Sequence, residues 1–252
     1  MEFGKCKLCL LDKDLQESHL MPRALYKRTR RPGAKGNRDP VLITKASNKP
    51  SSYQIKDCVL CRDCEDLFNR GGEDYAMRLV ADPVGNFPLL ETLEKIKPTM
   101  EHSLWRAYSV ADTPDIDRDK IAYFAISVYW RASVHTWKYE DGSTAHIDLG
   151  ARYNEEIRKY LLGQTGIPRN IALQVVVCSD IVNKMSFFAP HENQKLKDRT
   201  HIFLACGFQF FFRVSNTPNP HQQRLSIVNN PDRWLTIRDC SINQIWKSPK
   251  QA

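Results

Sequence analysis

Apolar residues recur at three- and four-residue spacing between Asp115 and Trp137. Ile121, Phe124, Ala125, Val128 and Ala132 there predict one buried helix with an acidic first turn. Asn154 to Leu162 carries a second, shorter helical pattern, closed by Gly163 and Gly166. Beyond it the period changes. Ile171 to Cys178, Met185 to Phe188, His201 to Val214 and Arg224 to Val228 are rich in branched and aromatic side chains and are separated by Asn, Pro and Asp turns, which predicts a mainly antiparallel sheet. The aromatic run Phe208-Gln209-Phe210-Phe211-Phe212 reads as a core strand of that sheet rather than as a base-stacking surface.

Upstream the pattern is weaker. Val41 to Thr44 predicts a short strand and Asp63 to Phe68 the first turns of a helix, while Asp74 to Lys97 is mostly helical but broken at Pro83 and Pro88. Pro32-Gly33, Gly36, Asn37 and Pro40 predict a loop. These divisions give an N-terminal unit over residues 1–80, a helical connector over 81–100 and an α+β domain over 101–252. The chain of 252 residues is long enough to bury a real core. It has no apolar run of about 18 residues, as a membrane span would need, and no leader-like N-terminus. The expectation is a cytoplasmic protein with no membrane partner.

Cysteine spacing changes the picture of the N-terminal unit. Two of the CxxC type, Cys6-Lys7-Leu8-Cys9 and Cys61-Arg62-Asp63-Cys64, supply four thiolates. Such a set closes a tetrahedral zinc site of structural type, with no position left for water. Of the other cysteines, Cys178 and Cys206 sit in strand-like runs and read as inert core thiols, whereas Cys58 is near enough to the second pair to be an alternative ligand. Charge adds a second feature. Between Arg23 and Lys49, the bases Arg23, Lys27, Arg28, Arg30, Arg31, Lys35, Arg38, Lys45 and Lys49 face the single acid Asp39, which equals the net charge of +8 of the whole chain. Such a run is either a solvated loop or a phosphate-binding stretch.

Between the cysteine pairs lies Ser18-His19-Leu20-Met21-Pro22, and the second pair sits in Leu60-Cys61-Arg62-Asp63-Cys64-Glu65-Asp66-Leu67-Phe68-Asn69. Over about residues 1–75 this order resembles the zinc-stapled HNH endonucleases, whose site is a ββα-metal fold. The resemblance implies His19 as general base and Asn69 as a ligand of a catalytic Mg²⁺ or Mn²⁺, beside the structural Zn²⁺. Ser18 stands where many members carry a metal-binding acid. Glu65, four residues before Asn69 on one helix face, is the natural replacement, and Glu73 becomes available if the chain turns back at Gly71-Gly72. The family's middle asparagine, which orients the histidine, falls by spacing on Asp57. The other six histidines, His102, His135, His146, His191, His201 and His221, have no metal-ligand spacing to one another.

The fold expected is therefore α+β, with a zinc-stapled ββα-metal module, a helical segment and a mainly antiparallel C-terminal sheet. The function implied is metal-dependent hydrolysis of nucleic-acid phosphodiesters, of DNA ahead of RNA, with Arg23, Lys27, Arg28, Arg30, Arg31, Lys35 and Arg38 on the phosphates. Residues 101–252 are then available to bind a protein partner. Analogy with free-standing members of the family suggests a phage-defence effector. The alternative is a non-catalytic zinc module that binds nucleic acid or a protein.

Overall fold

A computed structural model describes residues 2–30, 39–43, 48–193, 199–217 and 220–238. The order begins with β1 (Glu2–Lys5), β2 (Asp12–His19), α1 (Arg23–Arg28), β3 (Val41–Ile43), β4 (Asn48–Pro50) and β5 (Lys56–Cys61). Helix α2 (Arg62–Phe68) continues through a π-helical turn, Asn69–Glu73, into α3 (Asp74–Leu79), and α4 (Pro88–Glu94) follows with proline in its first turn. Strands β1, β2 and β5 form a three-stranded sheet, antiparallel throughout.

The second half opens with β6 (Met100–His102) and β7 (Trp105–Tyr108), then α5 (Arg118–Val134), a small hairpin of β8 (Trp137–Lys138) and β9 (Thr144–Ala145), and α6 (Ala151–Leu161). It ends with β10 (Ile171–Cys178), α7 (Ile181–Lys184), β11 (Phe187–Glu192), β12 (His201–Ala205), β13 (Phe208–Val214), α8 (Pro220–Gln223) and β14 (Leu235–Arg238). The main sheet has seven strands in the order β11-β12-β13-β10-β14-β7-β6, antiparallel except for β10 beside β14. The molecule is thus α+β with a mainly antiparallel sheet, as the patterning predicts.

Helix α5 is the hub. Asp117 caps it by accepting from the Lys120 N–H at 3.0 Å, which explains the acidic start of the pattern. It is buried around its whole circumference, from Ile121 and Ala122 to Trp130 and Ala132, because it lies between the two halves. Against the sheet, Phe124 meets Phe210 edge-on at 5.7 Å and Tyr129 stacks on Phe212 at 4.6 Å. The alternation along β13 points Phe208, Phe210 and Phe212 inward, so the aromatic run is core. Buried side chains of both halves form one continuous cluster through α5.

The expected strand from His201 to Val214 is a hairpin. Cys206 and Gly207, with φ of 42° and 95°, make its turn. Arg224 to Val228 forms no strand and contributes only an isolated bridge from Ser226 to Gln174. Strands β6, β7 and β14 are absent from the sequence expectation because each is four residues or shorter and takes its order from neighbours. The chain does not turn back at Gly71-Gly72. It stays helical there as the π turn, and these glycines serve close approach instead. A Cβ on Gly71 would overlap the Tyr123 ring, and one on Gly72 would overlap the Lys120 carbonyl and the Phe124 backbone of α5.

Candidate functional site

The four cysteines come together as spaced. Cys6 and Cys9 lie on a turn after β1 in which Leu10, at φ 63°, reverses the chain so that its N–H reaches the Cys6 carbonyl at 2.9 Å. Cys61 ends β5 and Cys64 lies in the first turn of α2. All four sulfurs lie within 4.8 Å of one another, with Cys9 and Cys61 at 3.9 Å. Zinc–sulfur bonds of about 2.3 Å place ligand sulfurs about 3.8 Å apart, so this set can hold a metal ion such as zinc. The backbone supports it: the Cys61 N–H points at the Cys6 sulfur at 3.4 Å. The Cys64 thiol, by hydrogen bonding to Cys6, is the chief reason that the Cys6 pKa falls to about 4, and the same contact raises Cys64. Cys58 lies outside the cluster, and Cys178 and Cys206 are buried.

Ser18 and His19 end β2 and, as neighbours in an extended strand, face opposite ways. Ser18 is fully buried, and its hydroxyl accepts from the Leu60 N–H at 3.0 Å. The His19 ring opens on a surface cleft lined also by Glu17, Arg23, Tyr53, Gln54 and Lys56. Its Nε2 lies 2.8 Å from the Gln54 Oε1. With that oxygen as acceptor, Nε2 carries the proton and Nδ1 keeps the lone pair. Burial holds the His19 pKa below that of free histidine; the Gln54 hydrogen bond opposes this, and Arg23, Arg131 and Lys56 add to the depression. The imidazole is therefore neutral at pH 7.

The loop carrying Gln54 is tied on both sides. The Tyr26 hydroxyl accepts from the Ile55 N–H at 3.0 Å, and the Leu20 N–H donates to the Ile55 carbonyl at 3.0 Å. From the second half, the Lys138 carbonyl accepts from the Tyr53 hydroxyl at 2.9 Å, and Glu140 accepts from the Ser51 hydroxyl at 2.7 Å.

Several expected roles change. Asp57 does not orient His19, since its carboxylate pairs with His135 at 2.9 Å and its backbone lies opposite Ser18; Gln54 holds the ring instead. Among the described residues, only the cysteines gather three or more His, Cys, Asp or Glu ligand atoms closely enough for one ion, so Glu65 and Glu73 do not join His19 in such a group. Glu73 pairs with Arg131 of α5 at 3.2 Å. Glu65, on the Ser18 side of β2, has its pKa raised by burial, against which Arg131 and Ser18 act. Asn69 opens the π turn beside them. Within the basic stretch, Arg23, Lys27 and Arg30 are exposed, and Arg23 reaches the His19 cleft. One amino group of Arg28 is engaged, donating to the Met77 carbonyl at 2.5 Å. Arg31, Lys35, Arg38 and Lys45 lie outside the described residues.

Two residues of the site, Gln54 and Arg131, have no role in the sequence reading. A signal existed for Gln54 only in its place shortly before the Leu60-Cys61 strand. Arg131 carries none, being one charge in an apolar helix 112 positions from the backbone it binds. Among the described residues no helix is long and apolar enough to cross a membrane. Comparison with protein-family models, curated proteins and solved structures finds no match for this chain.

Proposed function

We propose that the chain is a nuclease of the HNH type that hydrolyses nucleic-acid phosphodiesters, with His19 as general base. The observation that carries the reading is the His19 cleft: a neutral imidazole held by Gln54 between the cations Arg23 and Lys56. A base must be unprotonated at working pH and fixed in one tautomer, and the phosphate beside it needs positive charge. Nδ1 of His19 would take a proton from a water whose oxygen bonds to phosphorus as the bond from phosphorus to the leaving oxygen breaks, that oxygen taking its proton from solvent. Arg23 would hold a non-bridging phosphate oxygen, and the exposed Lys27 and Arg30 would carry the neighbouring phosphates in a salt-sensitive way. Lys56 is partly engaged, since its ammonium contacts both Glu17 oxygens at 2.7 and 2.9 Å. The paired strands β2 and β5 running into α2, with cysteines at the joints, support a zinc-stapled ββα arrangement.

The Mg²⁺ or Mn²⁺ implied by the resemblance would have Glu65, Glu73 and Asn69 as ligands. These residues do not fit it as they stand. A guanidinium already neutralises Glu73 and lies within electrostatic reach of Glu65, and neither carboxylate shares an ion-sized group with His19.

The test is a cleavage assay of the zinc-loaded full chain on single- and double-stranded DNA and RNA, beside His19→Ala. Loss of a general base is expected to slow cleavage by about 10²–10⁴-fold, with zinc content and nucleic-acid binding unchanged. A wild type that cuts neither polymer, or a variant that cuts equally well, ends this reading. Retained binding without cleavage would favour the non-catalytic zinc module.

A further inference from the structure

We infer that the Arg131 guanidinium occupies the place between Glu65 and Glu73 that a divalent cation would hold, so that α5 completes the His19 site from the other half of the chain. For cleavage this rests on His19 as the base; for ion binding it stands alone.

Three observations carry it. The Arg131 side chain is 2% exposed, yet it makes contacts typical of a bound cation: one amino group lies 3.2 Å from the Glu73 carboxylate, and the other donates to the His19 carbonyl at 2.7 Å. The group is fixed in place, since its carbon lies 5.5 Å over the Phe68 ring and the Trp137 indole N–H donates to the Arg131 carbonyl at 2.9 Å. Lastly, the unpartnered buried atoms of the cluster are one acceptor, Glu65 Oε1, and one donor, Arg131 Nε. A vacant cation place would leave acceptors only. A metal ion would satisfy Glu65 but would face the guanidinium and leave its Nε donor unpaired.

The charge is also permanent. An arginine does not lose its proton in proteins, so the cluster keeps its cation across the working pH range. Mg²⁺ requires near-octahedral oxygen ligands at about 2.0–2.1 Å, and it would have to displace or closely approach that guanidinium. Arg131 is therefore a positioning residue. It holds the His19 carbonyl and pairs with Glu73 without touching substrate.

The test is Mn²⁺ binding by electron paramagnetic resonance on the zinc-loaded full chain, which needs no cleavage. Wild type is expected to bind no Mn²⁺ at this cluster at millimolar metal. Arg131→Met, which removes the charge but keeps an apolar stem, is expected to gain one Mn²⁺ per chain and to lose it again when Glu65→Gln is added. Mn²⁺ bound by wild type and released by Glu65→Gln or Glu73→Gln overturns the inference. So does an Arg131→Met protein that is folded by circular dichroism and takes up no ion. Should that variant not fold, wild type against Glu65→Gln decides. Absence of cleavage sinks the nuclease reading and leaves this result intact, while Mn²⁺ on wild type does the reverse.

Discussion

The two halves of the molecule share one apolar core but differ in what each adds to it. In residues 2–79 a three-stranded sheet and α2 bring four sulfurs within 4.8 Å of one another. In residues 100–238, a seven-stranded sheet lies on a helix that is buried all round, and aromatic rings fill the space between. The first half adds to the shared apolar core a cysteine cluster that can hold a metal ion, and the second adds the main sheet. The difference teaches where the candidate site belongs: His19 sits in the half with the cysteine cluster, but the groups that brace it, Arg131, Lys138 and Glu140, come from the half that carries the main sheet.

Removing the ion is the largest perturbation. Zinc binding in small metal domains contributes about 10–16 kcal/mol, which is folding energy of the module. Cys64→Ser is expected to abolish metal binding, measured by metal analysis, and to remove hydrogen-exchange protection from β2, β5 and α2 while β10, β12 and β13 stay protected. Simultaneous loss in those sheet strands would make the halves one cooperative unit and break the comparison.

The converse perturbation acts on burial. Phe210 is fully buried between Phe124 and Phe203, and Phe210→Ala is expected to cost about 3–5 kcal/mol in chemical unfolding. Zinc stoichiometry should not change. A fall in zinc content with this variant would show that the cysteine cluster needs the sheet for its geometry.

A smaller effect is expected where the halves touch. Gly72→Ala puts a methyl group into the backbone of α5, and such overpacking costs about 1–3 kcal/mol. The strain falls on the π turn that carries Glu73, so it should weaken the Glu73–Arg131 pair and any cleavage together, with the cysteine cluster intact. Unfolding free energy and zinc content measured on one preparation would check this. An unchanged stability would mean that the two helices separate at no cost, and the junction would not be the rigid brace described above.

The sequence alone determined what depends on local spacing. Two CxxC turns marked the four cysteines that come together, a three- and four-residue apolar period marked α5, and runs of branched residues marked β10 and the β12–β13 pair as strand. Position 19 as the proposed base came from the family resemblance, which rests on the order of its motifs. Tertiary structure decided everything that depends on which distant groups meet. The β2–β5 register, with its bulge between Gln16 and Glu17, placed Asp57 opposite Ser18 and left His19 to Gln54, 35 residues away. Folding of α5 across the N-terminal half then brought Arg131 to Glu73 and the His19 carbonyl. Ligand spacing is a property of a few consecutive residues, with geometry set by bond lengths and one turn. The partner of a buried charge is set by the packing of whole elements, and no local pattern in the chain encodes it.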